Sequence, residues 1–544
     1  MKGNEEIEVL TSLEEEKDKK IKKNSVILIF AVVGAILSMF IIAAVLFLAP
    51  MVYSSGNKNT SSTIIKKKST KVSSQYKLNS NSLEEFDLSF LRLENNGKNE
   101  VYSPLSIKYA LAMLSEGSNG TTKDQIDSVL GKYKVKKYSN NEHMSFANAI
   151  FIRNSFKDRI NKEFTKSLNN KYNAEVIVDG FDNASNMNNW VSDKTFKLIN
   201  NLFDDETVSN ENFILTNALA IDMDWKNLLQ CASTTSDTPC MPYNVSYQHE
   251  NYSDYVSYID GENYPVMNFN DNNNVKSVKV AASVNKYDIV KSIGEENIKD
   301  AVGAAYKKWL EEENIKDDDL YYTNDVDVYL NNYIEDLKSN YKKIDKSTDF
   351  MLYSDEELNI FAKDLKEYDS TNLQYVAVMP KQVPLKEFIS NIDKKKMQNI
   401  ISKLKEIKLE NFDEGFVTKI NGNIPLFKFS YSLNLIDDLK YMGVNDAFDI
   451  GKSDFTSMIG NETRQCIDSA SHRATIEFSN EGIKAAAATD IGGAGGAKGG
   501  FEYLFDVPVK EIDINFNKPY MFIIRDKNSG EVWFVGSVYE PIVK

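Results

Sequence analysis

The chain has few of the side chains on which most enzymes rely. Its 544 residues include only three histidines, His143, His249 and His472. No two of them have the short spacing of metal ligands, and no His-Glu-x-x-His motif occurs, so we expect no metal site. A Gly-x-Ser-x-Gly nucleophile motif is also missing from the sequence. These absences argue against a conventional enzyme, and we expect no cofactor.

Basic residues are outnumbered, which bears on the choice of partner. Lysine and arginine total 64 against 79 acidic residues, and the formal net charge is −15 at pH 7. Nucleic acids bind through their phosphates to basic surfaces, so we exclude nucleic acid as a partner. The glycine-rich stretch 492–500 lacks the Gly-Lys-Ser/Thr ending of a phosphate-binding loop. We therefore do not expect phosphate binding there.

Cysteine is scarce, and only one pair lies close in sequence. Cys231 and Cys240 enclose a stretch rich in serine and threonine. One interpretation is a local disulfide, which forms in an oxidising compartment; the other is a pair of free thiols. We interpret the remaining Cys466 as a buried thiol.

One long apolar run, residues 25–53, contains no charged residue. It exceeds the roughly 20 residues that cross a bilayer, and it is longer than the apolar core of a cleaved signal peptide, about 7–15 residues. We therefore expect a transmembrane signal-anchor helix that makes the lipid bilayer a partner. A buried helix and a cleaved signal peptide are the alternatives.

Lysines flank this run unequally. Five lie between Lys17 and Lys23, whereas the first lysine on the other side is Lys58. The denser cluster marks the cytoplasmic side. The predicted order is a cytoplasmic tail (1–24), the transmembrane helix (25–53), a flexible stalk (54–80) rich in Ser, Thr, Asn and Lys, and an extracellular domain (81–544). The protein is thus predicted to be a single-pass protein of the cell membrane.

Four consecutive alanines, Ala485–Ala488, follow the alternating strand pattern of Ala474–Phe478. Alanine is depleted in strands, and the six glycines between Gly492 and Gly500 are unfavourable in a helix. The segment has no strong preference of its own, so it can be exposed in one state and a strand of a sheet in another. The alternative is a helix end or a linker.

Motifs elsewhere in the chain give this segment a context. They are Val101–Leu114 with the turn at Gly117–Thr122, Asn189–Val191 with Thr195 and Ile199, Thr216–Ala218 followed by Trp225, Pro425–Ser430 with Leu439–Phe448, and Phe516–Asp526 with Phe534–Val538 and Pro541. Together with the alanine run, they resemble the serpin family of serine protease inhibitors, from about Asn79 to the C-terminus.

The resemblance implies an α+β serpin fold, with a large central β-sheet, two further sheets, about nine helices and an exposed reactive-centre loop. The residues agree with such a body. Ser103 and Pro104 suit the start of a buried helix over Ile107–Glu116. Apolar β-rich segments at Tyr520–Ile524 and Val532–Val538 flank turn residues and predict a hairpin.

The resemblance also implies a function. A serine protease cleaves the loop and becomes acylated, and the loop then inserts into the central sheet as a strand, so that the distorted protease stays attached. We expect a membrane-tethered inhibitor of extracytoplasmic serine proteases, with a cysteine protease as an alternative target. The other class of function is a non-inhibitory binding protein, such as a carrier, a chaperone or an adhesion module.

The resemblance assigns roles to residues of the loop. The hinge comprises Gly482, Ile483, Lys484, Ala485, Ala486, Ala487, Ala488 and Thr489, with Gly482 as a pivot that needs unusual dihedral angles. Ile483 replaces a small hydroxyl residue, and Asn480 replaces a glutamate whose salt bridge is then absent. The family's spacing places the reactive bond at Gly496–Ala497, with Lys498–Gly499 as the alternative, in a loop about a dozen residues longer than usual.

Five residues match the family's sheet-opening cluster: Ser103, Ser106, Asn217, Trp225 and His472. The other interpretation is ordinary core packing without a gating role. An insertion at about 230–348 carries two predicted helices, Ile298–Glu312 and Val328–Tyr341. It is either a solvated elaboration with a small core of its own or an exosite for a partner.

Overall fold

The computed structural model describes residues 85–131, 133–229, 243–248, 274–315, 323–346, 349–369, 371–460, 465–483, 501 and 503–542. All of these lie within one compact unit, residues 72–544. The predicted tail, transmembrane helix and stalk lie outside the described residues, as do Cys231, Cys240, the hinge from Lys484 onward and both candidate reactive bonds. Within the described ranges, no helix has the length and apolarity needed to span a membrane.

Thirteen α-helices occur in the described residues, and nine of them have eight residues or more. They are α1 (Glu85–Leu93), α2 (Pro104–Gly117), α3 (Gly120–Leu130), α4 (Lys162–Tyr172), α5 (Ser185–Lys194), α6 (Asp205–Asn210), α7 (Ile289–Ile293), α8 (Glu295–Glu312), α9 (Val326–Ser339), α10 (Leu385–Ser390), α11 (Lys394–Ser402), α12 (Leu435–Met442) and α13 (Thr456–Ile459).

Nineteen strands accompany the helices in the same part of the chain. They are β1 (Glu100–Tyr102), β2 (Met144–Arg153), β3 (Glu175–Asp179), β4 (Phe213–Ile221), β5 (Met223–Asp224), β6 (Tyr243–Ser246), β7 (Asn274–Asn285), β8 (Lys343–Lys346), β9 (Met351–Ser354), β10 (Leu358–Asp364), β11 (Leu373–Pro380), β12 (Lys405–Glu406), β13 (Val417–Pro425), β14 (Phe427–Asn434), β15 (Ser471–Phe478), β16 (Gly482–Ile483), β17 (Val509–Asp513), β18 (Tyr520–Asp526) and β19 (Val532–Val538).

Helix α2 begins as the sequence predicts. Ser103 is its N-cap, and the Ser103 side chain accepts a hydrogen bond from the Ser106 backbone N–H at 3.1 Å. Pro104 occupies the first helical position, where its missing N–H costs nothing. Twelve of the fourteen residues are buried, so the helix is a central element of the core.

A seven-stranded sheet, in the order β1-β19-β18-β11-β10-β9-β12, forms the largest ladder. Its β18–β19 pair is the predicted hairpin. Two further ladders are a five-stranded group, in which β17, β13, β7 and β6 are adjacent and β8 pairs with β7, and a three-stranded group, β3-β2-β4. The last ladder is four-stranded, in the order β14-β15-β16-β5.

The three- and four-stranded ladders are two halves of one layer. Strands β4 and β5 are separated by a single residue, so the chain passes directly from one ladder into the other. Strand β16 lies between β15 and β5, but the described residues of β15 and β4 do not pair with each other. The predicted large sheet with further sheets is present, since the seven-stranded sheet is accompanied by three smaller ladders. The layer of β4 and β15 is divided by a gap, because the only strand that the described residues place between them is the two-residue β16, which pairs with β15 and β5.

The insertion forms its own small core. Ile298 and Val302 on α8 pack against Leu330 and Ile334 on α9, separately from the main core. Both helices lie where the sequence predicted them, to within two or three residues. Strand β8 pairs with β7, and β7 pairs along its length with β13, so the insertion is attached to the body through a sheet.

Candidate functional site: a gap in a sheet layer

The gap lies between β4 and β15. Its walls are Leu219–Ile221 on one strand and Thr475–Glu477 on the other. Ile524 and Phe534 of the seven-stranded sheet also line it, as do Thr195, Leu198 and Ile199 from the segment after α5. The remaining cavity is only about 20 Å³. The backbones of β4 and β15 therefore do not pair across the gap, although side chains fill nearly all of the space between the two strands.

Strand β16 fills the top of the gap. Gly482 and Ile483 pair with Asp224 and Met223 on one side, and Ile483 pairs with Phe478 on the other. The chain turns back after β15 because the Ser479 hydroxyl accepts hydrogen bonds from the backbone N–H groups of the two residues before Ile483, both at 3.2 Å. Ile483 is only 3% exposed and lines the cavity. The first hinge residues thus already lie in the sheet.

Gly482 is required because the space around it is too small for a side chain. Its backbone φ is not in the left-handed region, so no unusual dihedral angle calls for glycine. A Cβ atom at this position would lie 2.2 Å from the Met223 carbonyl oxygen and 2.7 Å from the Asp224 Cα. The close approach of two backbones is what excludes a side chain here, and the role of Gly482 as a pivot during insertion stays a prediction.

Trp225 holds the turn that leads into β16. Its indole Nε1–H donates to the Ser479 carbonyl at 2.9 Å, and its backbone N–H donates to the Glu481 carbonyl at 2.7 Å. The ring is fully buried and lies edge-on to Phe478, with centroids 5.4 Å apart. The Asn480 carbonyl accepts from a further backbone N–H, at 2.9 Å. Trp225 therefore contacts the turn that immediately precedes the hinge.

The N-terminus of α2 bridges the two edges of the gap. The Ser103 backbone N–H donates to His472 Nε2 on β15 at 3.0 Å. The Ser106 hydroxyl donates to Asn217 Oδ1 on β4. The Asn217 amide in turn donates to Asn148 Oδ1 on β2 at 2.7 Å. The structure thus brings together four of the five residues assigned to the sheet-opening cluster, while Trp225 lies at the top of the gap.

Two residues of β15 that the sequence did not single out form hydrogen bonds to the segment that follows α5. Arg473 donates from Nη1 to the Asn201 carbonyl at 2.7 Å, and the Thr475 hydroxyl donates to the Leu198 carbonyl at 3.5 Å. Both side chains are on the less buried face of β15, opposite Ala474 and Ile476. The strict alternation of β15 is the sequence signal from which their outward orientation could have been inferred.

His472 is buried, and burial lowers its pKa to about 4. Because its Nε2 accepts a backbone N–H, the neutral ring is the form that fits. A histidine whose pKa falls from its ordinary value near 6.5 to about 4 on folding binds a proton more readily when unfolded. The folded state is therefore undisturbed above pH 6.5 and loses stability as the pH falls from 6.5 to 4.

Replacing His472 with glutamine is expected to remove this pH dependence. At pH 5 the loss amounts to about 2 kcal/mol in the free energy of unfolding relative to pH 7, and the H472Q variant lacks it. Thermal melting at pH 7, 6 and 5 measures the difference, with the wild type falling more steeply than the variant. Parallel curves for the two proteins would show that His472 is not the group that titrates.

The site is thus a layer whose edges β4 and β15 do not pair, with β16 between β15 and β5 and with a polar bridge across it at the N-terminus of α2. The family model described as serpin (serine protease inhibitor) matches residues 87–250 and 336–541. These stretches cover more than half of the chain, so the chain belongs to the serpin family. The family comprises non-enzymatic protease inhibitors, and the protein is not an enzyme. The unmatched residues 251–335 lie inside the predicted insertion, whose boundaries stay a prediction.

Relatives span most of the chain at low identity. The chain is 22% identical to an uncharacterized serpin-like protein of Methanosarcina acetivorans over 83% of this chain and 84% of the relative. It is 24% identical to the human leukocyte elastase inhibitor over 84% of this chain and 97% of that protein. Among solved structures, thyroxine-binding globulin in complex with thyroxine has a TM-score of 0.54 at 16% identity, covering 85% of this chain and 98% of the other. The last comparison supports the fold alone.

Proposed function

We propose that the protein inhibits extracytoplasmic serine proteases by inserting its cleaved loop into the gap between β4 and β15. The observation that carries the proposal is the position of Ile483, which already occupies the first inward site of the missing strand. The antiparallel pairing of β16 on both sides fixes the register that any longer inserted strand would follow. The residues that would meet across the gap can therefore be named.

Continuing this register would place alanines of the hinge in the narrow gap between β4 and β15. Ala485 would lie between Ile476 and Ile221, and Ala487 between Ala474 and Leu219. These four neighbours are all buried, at 3% to 6% exposure. Since strand side chains alternate between faces, the inward residues are the small or apolar ones. The alanine run thus fits the site that the structure leaves open.

The same register gives Lys484 an outward position with acidic neighbours. It would lie opposite Glu477 on β15 and Asp222 after β4. Burial raises the pKa of nearby Glu481, and Asp224 and Glu477 raise it further. Glu477 already pairs with Lys428 at 2.8 Å, and Asp224 pairs with Lys366 at 2.6 Å. Lys484 would thus join a group of ion pairs of both signs at the outer face of the layer. The charged residue of the hinge therefore does not oppose insertion.

The chemistry belongs to the protease. Its serine oxygen attacks the carbonyl of the reactive bond, the peptide C–N bond breaks, and the leaving nitrogen becomes the new N-terminus of the C-terminal fragment. The acyl ester then moves with the inserting strand before water reaches it. Cleavage at Gly496–Ala497 suits a protease with a small or tolerant pocket, and cleavage at Lys498–Gly499 suits a trypsin-like one.

The proposal predicts covalent complexes. The full-length protein is incubated with elastase, subtilisin or trypsin, and the mixture is boiled in detergent. A band at the summed mass of protein and protease, less the C-terminal fragment that the cut releases, is expected with at least one of them and is expected to be absent when the protease serine is blocked beforehand. Cleavage of the loop by all three without any such band contradicts the proposal.

A carrier is the second candidate function, because the described residues enclose an apolar cavity of about 130 Å³. Ile107, Leu111 and Leu114 of α2 line it together with Leu435 and Leu439 of α12. A carrier would be cleaved without forming a covalent complex and without gaining heat stability. That pair of results, with a rise in melting temperature on adding an apolar ligand, would favour it.

We also propose that residues 25–53 tether the protein to a membrane, with the serpin body outside the cytoplasm. The support is the uncharged run itself and the lysines that precede it. The tethered protein should stay with membranes after alkaline carbonate extraction, and protease added outside intact cells should cut the body. Release into the carbonate supernatant would contradict the tether.

A further inference from the structure

We propose that helices α8 and α9 of the insertion form a docking site for this chain's own Phe501, Tyr503 and Phe505, and that this docking determines which bonds of the loop a protease can cut. The proposal rests on the proposed inhibitory function for its biological meaning, while the docking can be tested without it. It concerns the satellite site, defined as the aromatic surface of Tyr306, Trp309, Tyr329 and Tyr333 on these two helices.

Phe501 lies in the centre of the satellite site. Its ring centroid is 5.2 Å from that of Tyr306, 5.7 Å from that of Trp309 and 6.0 Å from that of Tyr329. Two of these contacts are edge-to-face, which is the favourable geometry for aromatic pairs. One loop side chain therefore contacts three aromatic rings from two different helices.

The residues that follow extend the contact. The Tyr333 hydroxyl donates to the Tyr503 backbone carbonyl at 3.3 Å, and the rings of Tyr503 and Phe505 lie 4.9 Å apart. Both rings pack against the small core formed by α8 and α9, whereas Leu504 between them is 82% exposed. The alternation shows a short extended segment that presents one face to the insertion and the other to solvent.

The two helices that carry the satellite site are packed closely against each other. Tyr306 and Tyr329 stack with centroids 3.6 Å apart, which joins α8 to α9. A Cβ at Gly303 would lie 3.0 Å from Leu330 Cδ1, so glycine lets the two helices approach closely. Lys338 on α9 also pairs with Glu295 on α8 at 3.4 Å. The docked segment is thus held by a surface that is itself tied to the body through β7.

Docking attaches the loop to the body at Phe501, which precedes strand β17 in the chain. Without it, the first fixed residues after the hinge would be those of β17, which pairs with β13 from Val509 onward. With it, only residues 484–500 lie between Ile483 and the first docked ring. Those residues contain two lysines and six alanines but no aromatic residue, leucine or methionine. Every aromatic side chain of the loop is therefore docked, and the satellite site excludes proteases that require one.

Chymotrypsin tests this inference, since its hydrophobic pocket requires a large apolar residue. The full-length protein and the Phe501→Ala variant are digested, and the rate of cleavage after Tyr503 and Phe505 is followed by mass spectrometry. Removing the central ring should raise that rate at least tenfold. The matched control is Leu504→Ala, which removes an exposed side chain of the same segment and should change the rate less than twofold.

A second pair of variants approaches the site from the helix. Tyr329→Ala should accelerate the same cleavages at least tenfold, and its neighbour Val328→Ala, whose side chain is 48% exposed, should not. Melting curves of all variants verify that the body is folded. If wild type and Phe501→Ala are cut at equal rates, docking does not protect the segment and the inference is wrong. If no protease forms a covalent complex but the protection holds, the proposed function fails and the docking stands.

Discussion

Replacing Ala487 with glutamate is expected to turn the protein from an inhibitor into a substrate. The loop should still be cut at the wild-type rate, but the fraction of protease trapped as a detergent-stable complex should fall at least about 100-fold. The reason is that an inserted residue 487 lies between Leu219 and Ala474, both buried, so that insertion would take a carboxylate out of water. That penalty is several kcal/mol, and each 1.4 kcal/mol slows insertion about tenfold relative to deacylation.

Ala488→Glu is the matched control. In an inserted strand that continues the register of β16, residue 488 would point to the outer face and would lie opposite Arg473. This variant should keep most of the wild-type complex. Densitometry of complex and cleaved bands for the two variants, with the same protease, measures the difference. Equal loss at both positions would mean that the charge acts on protease recognition and that the register is not the one inferred here from β16.

Replacing Gly482 with valine is expected to have the second large effect. Its Cβ would overlap the Met223 carbonyl, and the overlapping atoms are backbone, which cannot move aside. Strand β16 must leave the sheet, and Ile483 loses its buried position. We expect the free energy of unfolding to fall by about 3 kcal/mol, with a lower melting temperature and slower insertion after cleavage.

Gly451→Ala is the comparison for this variant. A Cβ at Gly451 would approach only the Asp449 carboxylate, at 3.2 Å, which is a side chain on the surface and not backbone, and the φ of Gly451 is not in the left-handed region. This substitution should leave the melting temperature within about 1 °C of the wild type. A Gly482→Val protein that melts with the wild type would mean that β16 contributes nothing to the native sheet.

Local patterns predicted much of the fold. The N-cap at Ser103, the buried α2, the β18–β19 hairpin and the alternation of β15 follow from neighbouring residues, and the structure has each of them. The two helices of the insertion were also predicted, since their apolar residues repeat at helical spacing. Such features depend on residues close in sequence, which is why one sequence sufficed.

What the sequence left out depends on distant contacts. Nothing near Gly482 reveals that Met223, some 260 residues earlier, lies against its backbone, so the sequence suggested a dihedral role instead. The gap itself is defined by a pairing that β4 and β15 do not make. Likewise α8 was predicted as a helix, but the contact of its Tyr306 with Phe501 joins segments nearly 200 residues apart.

The docked segment also changes how the long loop is understood. The resemblance implies a loop about a dozen residues longer than is usual for the family. In the structure, the rings of Tyr503 and Phe505 pack on the insertion. The insertion was predicted to be either a solvated elaboration or an exosite. Its contacts give it a third role, as the support for the C-terminal end of the loop.

The measurement that tests loop insertion most directly is the melting temperature of the protein before and after a single cut within residues 484–500. If the cut loop enters the gap, the layer gains a strand that pairs on both sides, and the melting temperature should rise by at least about 10 °C. The Ala487→Glu variant, cut at the same bond, should not show the rise. A wild-type protein that melts at the same temperature when cut as when intact would contradict the account.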